Sequence, residues 1–270
     1  LGCDDWPNCN STKLIDVSST HAAIEQINRL FTGLVSVGVI AAVLGSLWRT
    51  PRRRDLTRLS LGLVAGVLAQ IVLGGILVNF DLHPILVQGH MALSLILVGT
   101  AVVLHHRAGE PDDARRLRAT TPVATALTWL LAALTGVVIL LGTVVTGAGP
   151  HAGDEDVERL AIDIRTAARA HGIAVMTTLA IAVLLAVVAT RRAEDRRLSA
   201  PLSSWIFVGL LQAAVGYVQY FNDVPALLVG VHVAGATLLW ALTVRLVLTT
   251  SVATVAIPTP DADRVVPATV

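Results

Sequence analysis

Four residues of coordinating or hydrogen-bonding type stand at matched places in apolar surroundings: Asn28, His90, His171 and His232. Each falls one to two helical turns into a hydrophobic stretch, and a histidine inside a membrane usually faces a partner, a cavity or a cofactor because burying it in lipid is costly. Two facing imidazoles can fill both axial positions of a heme iron, the arrangement that holds iron six-coordinate for electron transfer. His171 and His232 are the candidate pair, with His90 at matched depth in the other bundle; taken singly, either of the pair would more often be a hydrogen-bonded packing residue. Zinc is disfavoured, because no third or fourth ligand falls at the same depth. Glu25 is the one carboxylate expected inside the outer end of a membrane helix, three residues before Asn28 and on the same helix face. It could move a proton or stabilise developing positive charge, or merely complement the helix dipole. Arg29 and Arg169, at the same boundary, could grip porphyrin carboxylates through bidentate contacts or snorkel to lipid phosphate. His83, His105, His106 and His151 fall in loops or at helix ends and read as solvated, although His151 could cap an outer cavity.

The elements that must carry these side chains are membrane helices. The 270 residues are 54% hydrophobic and 14% charged, and seven continuous apolar stretches, near 22–48, 59–79, 84–106, 121–146, 167–190, 202–220 and 225–249, can each cross about 30 Å of hydrocarbon as a helix. They lack the in-out alternation of a membrane barrel. Arginines concentrate in the first loop (Arg49, Arg52, Arg53, Arg54, Arg58), the third (Arg107, Arg115, Arg116, Arg118) and the fifth (Arg191, Arg192, Arg196, Arg197). That bias places these loops, and the polar tail after Thr249, in the cytoplasm. The N-terminal segment and the acidic loop bearing Asp154, Glu155, Asp156, Glu158 and Asp163 are expected outside. A net charge of +1, with no basic stripe interleaved with aromatics, excludes a nucleic-acid partner. The two cysteines, Cys3 and Cys9, fall in the outward segment, where a disulfide can persist; two free thiols are the other reading. The tail is expected to be disordered.

An internal repeat organises the chain. A shift of 142 residues carries Gln70, Gly74 and His90 onto Gln212, Gly216 and His232, and a shift of 143 carries Asn28 onto His171. The expected fold is all-α and polytopic: two pseudo-repeated four-helix bundles, the first lacking its first helix, so that this chain has seven spans and the natural protein eight. The halves are residues 1–118, with the cysteine loop and three helices, and 119–249, with four; residues 250–270 form the tail.

The motifs resemble those of a known family. Leu1-Gly2-Cys3-Asp4-Asp5-Trp6-Pro7-Asn8-Cys9 is similar to the outer cysteine loop of heme A synthases, and Ile24-Glu25-Gln26-Ile27-Asn28-Arg29 resembles their Glu-x-x-His-Arg motif. His90, His171 and His232 match their remaining heme-associated histidines. The resemblance implies oxidation of the C8 methyl of heme O to a formyl group, giving heme A for terminal oxidases, with substrate heme O in the first half and a heme b cofactor in the second. It implies Glu25 as the catalytic carboxylate, His90 as a substrate-side ligand, His171 and His232 as heme b ligands, and a Cys3–Cys9 disulfide. Membrane lipid, an electron acceptor, heme O synthase and terminal oxidase assembly factors are the implied partners, and the cell membrane the location. Asn28 departs from the family pattern, since an amide is a poor iron ligand; the substrate heme would then keep one open axial side. The competing readings are a non-catalytic diheme b-type cytochrome, which makes no demand on Glu25, and a small-molecule transporter using the repeat for alternating access.

Overall fold

A computed structural model describes residues 3, 6–150 and 157–255. His151 and Asp154–Asp156 lie outside the described residues, as do residues 256–270 of the tail.

Seven helices are long and apolar enough to cross a membrane: α1 (Thr20–Trp48), α2 (Arg54–Asn79), α3 (Pro84–Ala108), α4 (Pro122–Ala148), α5 (Ile164–Arg191), α6 (Ser199–Phe221) and α7 (Ala226–Leu248). The protein is a multi-pass, all-α membrane protein. Local chemistry starts several of these helices. Ser19, Thr121 and Asp163 cap α1, α4 and α5, each accepting from the backbone N–H three residues on, which satisfies a donor the helix cannot. Pro84 and Pro122 open α3 and α4, where a missing N–H is harmless.

The second half closes into a four-helix ring: α4 packs along α5 and α7, and α6 along α5 and α7. Its core gathers Trp205, Leu131, Leu185, Leu198, Leu202 and Leu246. Small and hydroxyl residues allow close helix approach, which is what drives association where lipid is as apolar as leucine. Thr128 and Thr135 return their hydroxyls to carbonyls of their own helix, and Trp205 donates its indole N–H to Thr243 Oγ1 at 2.7 Å. Asp195 is fully buried in the short 3-10 turn before α6, where it accepts from both the N–H and the hydroxyl of Thr121.

The first half is thinner. α1 packs chiefly on α2 and α2 on α3, so α1 leaves most of its circumference exposed, including Leu30, Phe31, Leu34 and Val37. The halves meet where α3 lies against α7, with α4 also touching α3. Trp240 of α7 crosses this junction and donates its indole N–H to the Leu95 carbonyl of α3 at 2.8 Å.

The repeat extends to the backbone of the turns. Asp81 and Leu82, between α2 and α3, have φ of 47° and 55°; Asp223 and Val224, 142 residues on, have 54° and 55°. In both turns the second of these residues donates its N–H back to the preceding helix, Leu82 to Leu77 and Val224 to Gln219, at 2.9 Å each.

One element departs from expectation. Arg115–Arg118 (β1) and Ser251–Thr254 (β2) form an antiparallel two-stranded sheet, Arg115 opposite Thr254 and Arg118 opposite Ser251. The start of the tail is thus a strand where disorder was expected. The ladder, with the Ala119 N–H donating to the Thr250 carbonyl at 2.8 Å, satisfies backbone groups that a free tail would leave to water.

Candidate functional site

In the second bundle α5 and α7 bring His171 and His232 face to edge, with ring centres 6.4 Å apart and planes at 69°. His171 is held from behind: its Nδ1 lies 3.0 Å from the Val138 carbonyl of α4. A carbonyl can only accept, so Nδ1 carries the proton and Nε2 keeps its lone pair, the tautomer a metal ligand needs. Each ring lies over a glycine of a neighbouring helix. A Cβ at Gly142 would stand 3.3 Å from Cε1 of His171, and one at Gly216 would stand 3.5 Å from Cε1 of His232.

The first half repeats the device with one histidine. The ring of His90 lies over Gly74, whose Cβ would be 3.8 Å from Cε1. Gln70 buttresses α3 from α2, donating its Nε2 to the His90 carbonyl at 3.1 Å and to Ser94 Oγ at 2.6 Å. Its counterpart Gln212 runs across Gly235, so close that a Cβ there would be 1.8 Å from Nε2. The two copies also share orphaned polar atoms, since Nδ1 of His90 and of His232, and Oε1 of Gln70 and of Gln212, are buried without partners. Native proteins leave few such groups unsatisfied, and here they recur at equivalent positions around the histidines. Asn28 stands exposed on α1, which packs on α2.

Glu25 and Arg29 belong to a latch on the cysteine loop. Cys3 and Cys9 are joined in a disulfide and are both buried. The Cys3 N–H donates to Glu25 Oε2 at 2.9 Å, while Glu25 Oε1 pairs with Arg29 Nη2 at 2.8 Å. Arg29 reaches on, donating Nη1 to the Pro7 carbonyl at 2.7 Å and both terminal nitrogens to that of Asn8 at 3.3 Å. One helix turn of α1 thereby fixes the loop. The loop in turn lays Trp6 on α2 at Gly75, where a Cβ would come within 3.0 Å of the indole, one residue from the glycine under His90.

Arg169 is not brought to the histidine pair. Two residues from His171, it points to nearly the opposite side of α5, exposed, and lines an apolar groove of about 430 Å³ with Ile173, Met176 and Tyr217. His83 and His106 are partly exposed at helix ends, 3.6 Å from Glu158 and Glu110 respectively.

Residues 1–244 match the COX15-CtaA family, described as cytochrome oxidase assembly protein. The chain belongs to that family. Comparison with individually curated proteins gives no match. Membership in the COX15-CtaA family places the protein in cytochrome oxidase assembly and makes heme the group to test against the site. Imidazole nitrogens bind a first-row metal at about 2 Å, and each ring centre lies about 1 Å beyond its nitrogen, so two rings flanking one metal stand about 6 Å apart. The 6.4 Å between His171 and His232 fits that span. No group of three or more His, Cys, Asp or Glu gathers among the described residues; a porphyrin supplies its own equatorial nitrogens and asks the protein only for the axial ones.

Several residues escaped sequence reasoning. Gly142, Val138 and Gly235 have no chemistry of their own and matter through what stands opposite them. Trp6 could have been found from its place inside a short cysteine loop, since an indole there has to settle on a neighbouring helix.

Proposed function

We propose that this protein is a heme A synthase, oxidising the C8 methyl of heme O to a formyl group. His171 and His232 hold a heme b in the second bundle, and His90 serves the substrate heme in the first. The observation that carries this reading is the 6.4 Å imidazole pair with Nδ1 of His171 already anchored on a carbonyl, within a chain of this family. The iron, when bound, supplies one-electron redox chemistry tuned by its axial ligands.

The chain's own residues have distinct tasks. Val138 fixes the tautomer and direction of His171, and Gly142, Gly216 and Gly74 leave room for flat rings to lie against neighbouring helices. Turning a methyl into a formyl group takes up one oxygen atom and, written with water as its source, releases four protons to a base and four electrons to an electron acceptor. Glu25 is the carboxylate placed to take a proton, at Oε1 or Oε2. Its hold on the Cys3 N–H and on Arg29 keeps it aimed, and Arg29 acts here through the loop. The loop and the chain start face outward, and the arginine-rich loops face the cytoplasm.

Glu25's engagement by two partners is also what a diheme b-type electron carrier would show, with the carboxylate purely structural. Expression with a heme O supply, followed by extraction and chromatography of the hemes, separates the two. The enzyme yields heme A, and Glu25→Gln abolishes it while the Soret band of the bound heme b persists. Unchanged heme O with an intact redox spectrum would establish the carrier and sink the enzyme reading.

A further inference from the structure

The end of the molecule away from the cysteine loop carries arginines in two environments. Arg49 donates to Asp112 at 2.8 Å, Arg53 pairs with Asp55 at 2.9 Å, and Arg116 grips Glu110. These pairs tie the α1–α2 turn to the α3–α4 loop, because Arg53 also donates to the carbonyls of Arg107 and Glu110. Arg52, Arg54 and Arg58 are different. They line a cavity of about 560 Å³ with Leu47 and Thr57, and among the described residues none gives them an ion pair or a hydrogen bond. Arg54 and Arg58 share one face of α2, one turn apart, and the N-terminal end of that helix adds its own positive potential.

Arginines that only set topology need not converge on one cavity. Three unneutralised guanidiniums around one space form a site for a group with several anionic oxygens, and phosphate matches the guanidinium fork best. The cavity also has an apolar side. Leu47 lines it, and Leu44 and Trp48 occupy the same flank of α1, with Trp48 78% exposed. This helix end falls where hydrocarbon gives way to headgroups, so acyl chains are the natural cover for that flank.

We propose that the cavity binds an anionic phospholipid, its phosphate held by Arg52, Arg54 and Arg58 and its acyl chains lying along α1 at Leu44, Leu47 and Trp48. The lipid gives α1 a neighbour on a side where the described residues supply none, and so steadies the helix that carries Glu25 and Arg29 at its other end.

The test is native mass spectrometry of the full chain, delipidated in detergent and titrated with phosphatidylglycerol or with phosphatidylcholine of the same acyl chains. One phosphatidylglycerol is expected to bind at least tenfold more tightly than phosphatidylcholine. Each of R52Q and R58Q is expected to weaken it about fivefold, by the usual contribution of a basic residue near an anionic surface, and the triple variant R52Q/R54Q/R58Q to erase the preference. R192Q/R196Q/R197Q, which removes equal charge from another loop, is expected to leave it intact. Equal weakening by both triple variants would reduce the effect to diffuse surface charge. Equal binding of the two lipids, or displacement of phosphatidylglycerol by millimolar inorganic phosphate, would overturn the proposal, the latter in favour of a soluble anion. The single variants decide the matter should the triple one fail to fold.

Discussion

Glycine lies beneath an imidazole three times in this molecule, at Gly74, Gly142 and Gly216, and the pairing makes a prediction with an internal control. Gly216→Leu would drive a side chain into the ring of His232, whereas Gly230, also in a membrane helix, has nothing within 4 Å of its Cβ position. Gly216→Leu is therefore expected to lose most of the bound heme, read as the Soret absorbance per protein, and Gly230→Leu to keep it. Gly235→Ala is a different test, because its Cβ would meet Gln212 and overpacking in a tight core costs about 1–3 kcal/mol. A thermal midpoint unchanged by that substitution would show that Gln212 can swing away. At this scale the histidines were legible in the sequence, because an imidazole in an apolar run is conspicuous. The latch was not. That Glu25 and Arg29 hold a loop follows only once residues 3–9 fold back on α1, and no periodicity announces such a return.

Among the elements, the matching turns before α3 and α7 are the most telling. Leu82 and Val224 both sit in the left-handed region, which is costly for residues with a Cβ and most of all for a branched one. The same unfavourable conformation at the same place in both copies indicates that the turn geometry is needed to aim the following helix and its histidine. Val224→Gly is expected to raise stability by about 1 kcal/mol as the strain is relieved, measured as a higher thermal midpoint in detergent; a lower midpoint would mean that the Val224 side chain contributes more packing than the backbone loses. Helix positions were readable to within a few residues because continuous apolar runs leave little ambiguity. The strands were not, since four residues such as Arg115–Arg118 carry no alternation and their partner is supplied from the far end of the chain.

At the level of the whole molecule, two of the fastenings between the halves lie at different depths. One is the Trp240 N–H on the Leu95 carbonyl. Trp240→Phe would remove this second bond to a carbonyl already engaged within α3 and cost about 0.5–1.5 kcal/mol, seen as earlier loss of heme on heating. The other is the sheet, bound to the arginine network through Arg116 and Glu110. The Arg116 guanidinium holds the Glu110 carboxyl below its ordinary value of 4.5, aided by His106 and Arg53. Because the folded value is depressed, this stabilisation is complete above about pH 4.5 and is lost as pH falls through the lowered value. The protection factors of the amides at residues 115–118 and 251–254, which are the intrinsic over the observed exchange rates, are expected to fall on acidification below that point, and Arg116→Gln to give the low protection already at neutral pH. Protection factors independent of pH in the native chain would remove Glu110 from the fastening. The two-part plan was visible in the 142-residue shift, but how the parts are joined was not, because Trp240 and the strands have no counterparts in the repeat.

Since β2 follows α7, the loop it clasps has to wait through the synthesis of α4, α5, α6 and α7 before its partner leaves the ribosome. The pairing is therefore a late stitch: whatever order the helices insert in, the two halves are free to adjust to each other until β2 closes the seam.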